Sequence, residues 1–140
     1  MGAPTRGVEP DMVSIPQDYV HLLEQPLFAH LGTVRPDGSP QVNPMWFRWD
    51  GEVLRFTNTV VRQKYRNIQA DPRVSVSIID PDRPYRYLEV RGTVERIEPD
   101  PTGAFYVELA ERYGRPSPSA PPDARHRVIL VVRPTATSKQ

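Results

Sequence analysis

The sequence predicts a mainly β domain, a six-stranded antiparallel barrel with short helices between its strands. Three observations predict it. Apolar and polar residues alternate with the two-residue period of half-buried strands at Val74–Asp80 and Tyr87–Ile97. Turn chemistry separates other apolar runs at hairpin distance, at Arg35-Pro-Asp-Gly-Ser39 and at Asp50-Gly51. The helical patterns are short and fit only the gaps, an arrangement that closes as a small barrel.

The elements follow in order. Residues 1–12 are polar with Gly and Pro and read as a flexible N-terminal arm. The folded domain is expected over 13–134, with residues 135–140 as a flexible tail. Ser14-Ile15-Pro16 offers a cap and an early proline for a first helix, Gln17–Glu24. Leu27–Val34 is an apolar strand. Pro40–Trp49 and Val53–Thr57 follow across the two turns, so the first three strands form a meander. Val61–Ala70 sets Val61, Tyr65 and Ile68 on one helical face. In Val74–Asp80 the inward residues are Val74, Val76 and Ile78, against Ser75 and Ser77. In Tyr87–Ile97 they are Leu88, Val90 and Val94. Thr102–Tyr113 puts Phe105, Leu109 and Tyr113 on one face and ends at Gly114, a C-cap residue. Residues 115–126 hold four prolines in a segment poor in apolar groups, and read as a mobile loop. Val128–Val132 is continuously apolar, a buried closing strand.

Composition excludes several functions. The chain has 140 residues, enough for one core. Its 18 basic residues balance 17 acidic ones, so no global field draws nucleic acid or an anionic membrane. Any anion site must be local. With no cysteine there is no disulfide, thiolate metal site or cysteine nucleophile. His21, His30 and His126 lie far apart, and no metal site is expected. No stretch approaches the roughly 20 apolar residues of a membrane span, and no apolar leader opens the chain. A cytoplasmic protein is expected.

The chemical signal sits in FTNTVVRQKYRN, residues 56–67. A strand ends at Thr57, Asn58 and Thr59 follow as polar caps, and a helix begins carrying Arg62, Lys64 and Arg66. A helix start with unpaired N–H groups and partial positive charge suits a phosphate. Arg62 adds a bidentate clamp and Lys64 a point charge. A solvated cationic helix face explains the same residues equally well. Ahead of it, Asn43-Pro44 interrupts Pro40–Trp49 and removes a ladder donor, so this strand is an edge, bulged, or opened to a ligand. Met45, Trp46, Phe47 and Trp49 cluster flat or soft groups that fit a core, a dimer contact or a planar ligand. Pro84-Tyr-Arg-Tyr87 places two tyrosines around an arginine at a strand entrance.

Together these segments resemble the pyridoxamine-phosphate-oxidase-like split β-barrel superfamily. More narrowly, the chain is similar to its actinobacterial flavin/deazaflavin-dependent oxidoreductases, B group, many of which use coenzyme F-420. The resemblance runs from Leu31 to Glu95, with weaker agreement over Arg127–Pro134. It is carried by the DG-x-PQ-x-x-P-x-W-F hairpin, the T-N-x-x-x-R-x-K-x-x-N helix start, and Asp80–Gly92, which favours the F-420 branch.

The resemblance implies a cofactor phosphate held by Thr57, Arg62 and Lys64, with Asn58 close by. It implies a flavin or deazaflavin ring along Gln41, Val42, Asn43, Pro44, Met45 and Trp46, hydrogen-bonded by their backbone amides. A second subunit would complete the pocket, with Tyr85 and Tyr87 facing it, so a homodimer is expected. The implied activity is hydride transfer between reduced F-420 and a small conjugated acceptor, an enone, quinone or tetrapyrrole-like molecule. Tyr85, Arg86, Tyr87 and water stay open as the proton source. The alternatives are an FMN oxidoreductase of the same fold and a non-catalytic carrier of the cofactor. Fuller pyridoxamine-phosphate oxidases continue past the position of Pro134 into a segment that helps bind pyridoxal phosphate, so that substrate site is not expected.

Overall fold

Seven strands, not six, form one antiparallel sheet in the computed structural model, which describes residues 13–116 and 119–140. They are β1 (Ala29–Val34), β2 (Pro40–Met45), β3 (Phe47–Trp49), β4 (Leu54–Thr59), β5 (Arg73–Asp80), β6 (Arg83–Pro99) and β7 (Arg127–Lys139). Of the described α-helices, α1 (His21–Glu24) precedes β1, α2 (Gln63–Ala70) lies between β4 and β5, and α3 (Ala104–Arg112) between β6 and β7. The expected arm at 1–12 lies outside the described residues.

The extra strand arises because Pro40–Trp49 breaks at Trp46. Sheet order is β2-β1-β5-β6-β7-β4-β3, so the two halves of that segment lie at opposite edges. One residue joins them, and consecutive Cα atoms are about 3.8 Å apart. The edges must therefore meet at Trp46 and splay from it, which makes the barrel a split one. The expected meander becomes two separate hairpins. β1 and β2 turn through Gly38, and β3 and β4 through Gly51, each with positive φ, 89° and 100°. The Asp50 carboxylate tightens the second turn by accepting from the Glu52 and Val53 amides.

At the break the Tyr113 hydroxyl does the work of a missing ladder. It accepts from the Phe47 amide at 3.0 Å and donates to the Leu27 carbonyl at 2.7 Å. Backbone groups cut off from a neighbouring strand need such a partner. The hydroxyl is held protonated, since burial raises its pKa above the ordinary 10.0.

The inward strand faces match the alternation. Val74, Val76, Ile78, Leu88, Val90 and Val94 are buried, with Leu31, Phe47, Leu54, Phe56, Leu130 and Val132. Leu22 and Leu23 of α1 cap this core and are fully buried. That helix is shorter than expected: residues 17–20 form turns closed by bonds such as Tyr19 N to Pro16 O, 2.9 Å. The closing strand is much longer than Val128–Val132. Residues 135–139 are its far end, not a tail, and pair with β6 up to Leu88↔Lys139. Part of the proline-rich segment is docked as well. Ala124–His126 forms a 3-10 turn, and Pro121 lies so close to Gly103 that a Cβ there would stand 2.8 Å from it. Residues 117–118 lie outside the described residues. Among the described residues no helix is long and apolar enough to cross a membrane.

Helix α2 keeps two residues of its expected face, since Ile68 is buried and Tyr65 packs against the core, and adds polar ones. Val61 precedes the helix and is exposed, while Lys64, Asn67 and Ile68 turn inward. Polar groups are not drawn inward by hydrophobicity, so their burial points to a site.

Candidate cofactor cleft

The split between β2 and β4 is that site. Among the described residues β2 pairs only with β1, and its other edge has no partner strand. Asn43, Pro44 and Met45 on this edge face Thr57 and Asn58 of β4, together with Arg62, Lys64 and Arg127, around a cavity of about 300 Å³. Pro44, Met45 and Thr57 are shared with a second cavity of about 410 Å³, completed by Phe28 and Trp46. The two are one cleft, cationic at one end and aromatic at the other.

Each wall has a local cause. Asn58 and Thr59 are not helix caps but the last residues of β4, which runs to Thr59 and pairs with β7. Arg62 takes the N-cap place in extended conformation. That puts it just before the helix, so it and Lys64 converge on one cavity although an ideal helix would set them roughly 200° apart. Arg66 does not join them. Its guanidinium turns back to Val61 O and Gln63 Oε1, at 3.2 and 2.6 Å.

Lys64 is buried and donates to Asn43 Oδ1 at 3.4 Å. Burial, then the Arg62 charge, lowers its pKa below the ordinary 10.5. Arg127 donates to Thr57 Oγ1 at 3.3 Å, pairs with Asp123 at 3.1 Å, and lies 4.5 Å over the Tyr106 ring. Asn58 Oδ1 accepts from the Thr59 amide, while its Nδ2 is buried without a partner among the described residues. Three cations, an amide donor unpartnered among the described residues and no carboxylate in the described lining make this end fit a phosphate. The aromatic end fits a flat ring. Trp46 stacks on Tyr113, 5.2 Å and 15° between planes, and tilts against Tyr106. Phe28 packs on Tyr113 from the other side.

Of the residues expected at the site, Asn43, Pro44, Met45, Trp46, Thr57, Asn58, Arg62 and Lys64 line the cleft. Gln41 stands behind it, bonded to Asn43 and Asn67, and the Val42 side chain points away and is exposed. Tyr85 and Tyr87 do not reach the cleft of their own chain. Tyr85 is 73% exposed, and Tyr87 sits far along β6 opposite Ile79. The other aromatics divide: Phe47 is core and Trp49 packs against it. Arg127, Phe28 and Asn67 were not expected. Arg127 is basic at the entrance of the closing strand, a weak signal, and nothing in the local pattern marks Phe28.

Solved structures share this fold. No curated protein matches the chain. A solved structure named F420 Reductase is 67% identical over 90% of this chain and 100% of its own, with a TM-score of 0.88. A conserved hypothetical protein from Mycobacterium tuberculosis is 26% identical over 96% of this chain and 89% of its own, with a TM-score of 0.70. A pyridoxamine 5'-phosphate oxidase-related, FMN binding protein from Nostoc punctiforme shares the fold, at 18% identity over 90% of this chain and 84% of its own, with a TM-score of 0.67. The model of the pyridoxamine 5'-phosphate oxidase family matches residues 15–140, the split barrel with its cleft included, and the chain belongs to that family.

Proposed function

We propose that this protein is an F-420-dependent oxidoreductase, passing a hydride between the reduced deazaflavin and a small conjugated acceptor. One observation carries the reading: a single cleft joins a three-cation pocket to an aromatic cavity along an unpaired strand edge. The relative named F420 Reductase, with 67% identity, selects the deazaflavin among ligands that combine a phosphate with a flat ring.

When bound, reduced F-420 supplies a hydride, two electrons at once, from its ring. The chain supplies position and electrostatics. Arg62, Lys64 and Arg127 hold the phosphate, and its charge relieves their mutual repulsion. The free edge of β2 offers backbone groups to the polar rim of the ring. Met45, Trp46 and Phe28 give an apolar wall that excludes water and leaves room for an acceptor.

The homodimer belongs to the same reading. The outer face of β1, β2, β5 and β6 carries exposed Val42, Ile79 and Tyr85 around small residues such as Gly32 and Ser75. A twofold pair through this face would cover the apolar surface and carry Tyr85 and Tyr87 toward the partner's cleft.

Fluorescence titration with F-420 and with FMN tests the cofactor, and oxidation of reduced F-420 against quinones, enones and biliverdin tests turnover. F-420 binding with turnover is expected. Tighter FMN binding sinks the assignment, and binding without turnover of any acceptor makes the protein a carrier.

A further inference from the structure

Behind the phosphate end runs a chain of polar contacts that none of these steps uses. Asn67 is fully buried, and a buried amide needs its hydrogen bonds met. Its Nδ2 donates to Thr33 Oγ1 at 2.9 Å and to Gln41 Oε1 at 3.1 Å, and its Oδ1 accepts from Gln63 Nε2 at 2.8 Å. Gln41 Nε2 donates in turn to Asn43 Oδ1 at 3.0 Å, the oxygen that also accepts from Lys64.

One charge sets the direction of every link. A lysine ammonium only donates, so it must meet the oxygen of Asn43. Gln41 must then bring its nitrogen to that oxygen, which turns its own oxygen toward Asn67, and Asn67 must donate. Reversing any one amide would set two donors or two acceptors face to face. What remains is Asn43 Nδ2. Among the described residues nothing accepts from it, and Asn43 lines the cationic end of the cleft.

We propose that Asn67 is a positioning residue: through Gln41 it holds the Asn43 amide so that Nδ2 donates to an anionic or carbonyl oxygen of the bound cofactor, beside the phosphate clamp. The proposal rests on the cofactor reading above. Asn67 itself touches no cofactor atom. A fixed donor next to Lys64 admits ligands that present acceptors there and disfavours those that present a donor, which would be left unpaired.

The test is a double-mutant cycle read by F-420 fluorescence titration on wild type, Asn67→Asp, Asn43→Ala and the double variant. Asn67→Asp keeps shape but removes both donors. Gln41 then turns its nitrogen to the new carboxylate, and Asn43 loses its fixed orientation. Each single variant is expected to bind about tenfold more weakly, the scale of one hydrogen bond to a charged group. The double variant should bind no more weakly than Asn43→Ala alone. Additive losses overturn the relay, because a purely structural Asn67 would weaken both backgrounds alike. If circular dichroism shows that Asn67→Asp does not fold, Gln41→Met cuts the same link from a half-buried edge position and must show the same non-additivity. Wild type binding neither F-420 nor FMN overturns the functional reading and the relay together. Wild type binding FMN alone overturns only the cofactor assignment, and the cycle read with FMN then decides the relay.

Discussion

Lys64 shows how one residue's environment becomes a binding preference. Its ammonium is buried beside Arg62, and both effects disfavour its charge. A phosphate reverses that, so binding should restore the charged form. The sign follows: affinity for a phosphate-bearing cofactor is full while Lys64 is protonated and falls as pH rises through its lowered pKa, below 10.5. Affinity measured across alkaline pH should show this edge in wild type and lose it in Lys64→Arg, whose guanidinium stays charged. Lys64→Ala should weaken F-420 and FMN by about 1.5–3 kcal/mol and leave riboflavin, which has no phosphate, nearly unaffected. Equal losses for riboflavin would assign Lys64 to folding instead. Arg127→Ala should follow the same selectivity at a smaller size, since Asp123 already offsets part of its charge.

Among the elements, the strand break at Trp46 and the long β6–β7 pair shape the cleft. Tyr113→Phe leaves the Phe47 amide without its acceptor and the Leu27 carbonyl without its donor, while the ring stack on Trp46 persists. A loss of about 1–3 kcal/mol in urea unfolding is expected, the cost of unpaired buried groups. No change in stability would mean that water replaces the hydroxyl. Gly92 stands where β6 and β7 cross at a register shift, and a Cβ there would lie 2.5 Å from the Arg133 carbonyl oxygen. Backbone cannot yield cheaply, so Gly92→Ala should lower stability by roughly 1–3 kcal/mol. An unchanged melting temperature would show that the bulge is soft.

For the whole molecule, charge and assembly are the testable properties. The net charge is +1, so the attraction for an anionic cofactor is local to Arg62, Lys64 and Arg127. F-420 carries more carboxylates than FMN, and its advantage should shrink as salt rises and screens exposed contacts. Titrations at low and high ionic strength check this; a constant ratio would confine the preference to the ring. Sedimentation should find a dimer at micromolar concentration, and Ile79→Glu, which charges the exposed apolar face, should shift it toward monomer. A wild-type monomer with cofactor bound would count against the pairing.

By itself the sequence determined the strand periodicity, the two hairpin turns and most of the residues at the cationic end of the cleft. These signals are local: alternation reports one buried face, Asp-Gly reports a turn, and Thr57, Asn58, Arg62 and Lys64 lie within eight positions of one another. Asn43-Pro44 marked an irregular strand, an edge, a bulge or one opened to a ligand, for the same reason, a missing donor in the strand itself, and the fold makes it an edge. Only the tertiary structure decided which edges meet. The break at Trp46, the extension of β7 through residues 135–139 and the arrival of Arg127 at Thr57 are contacts between distant segments. Tyr65 and Ile68 keep the apolar face read from the sequence, but the inward turn of Lys64 and Asn67 beside them was not legible there, because their partners Asn43, Gln41 and Thr33 come from strands more than 20 positions away. A helix pattern records what a residue avoids in water, and only the folded neighbours supply the partner that makes burying a polar group favourable.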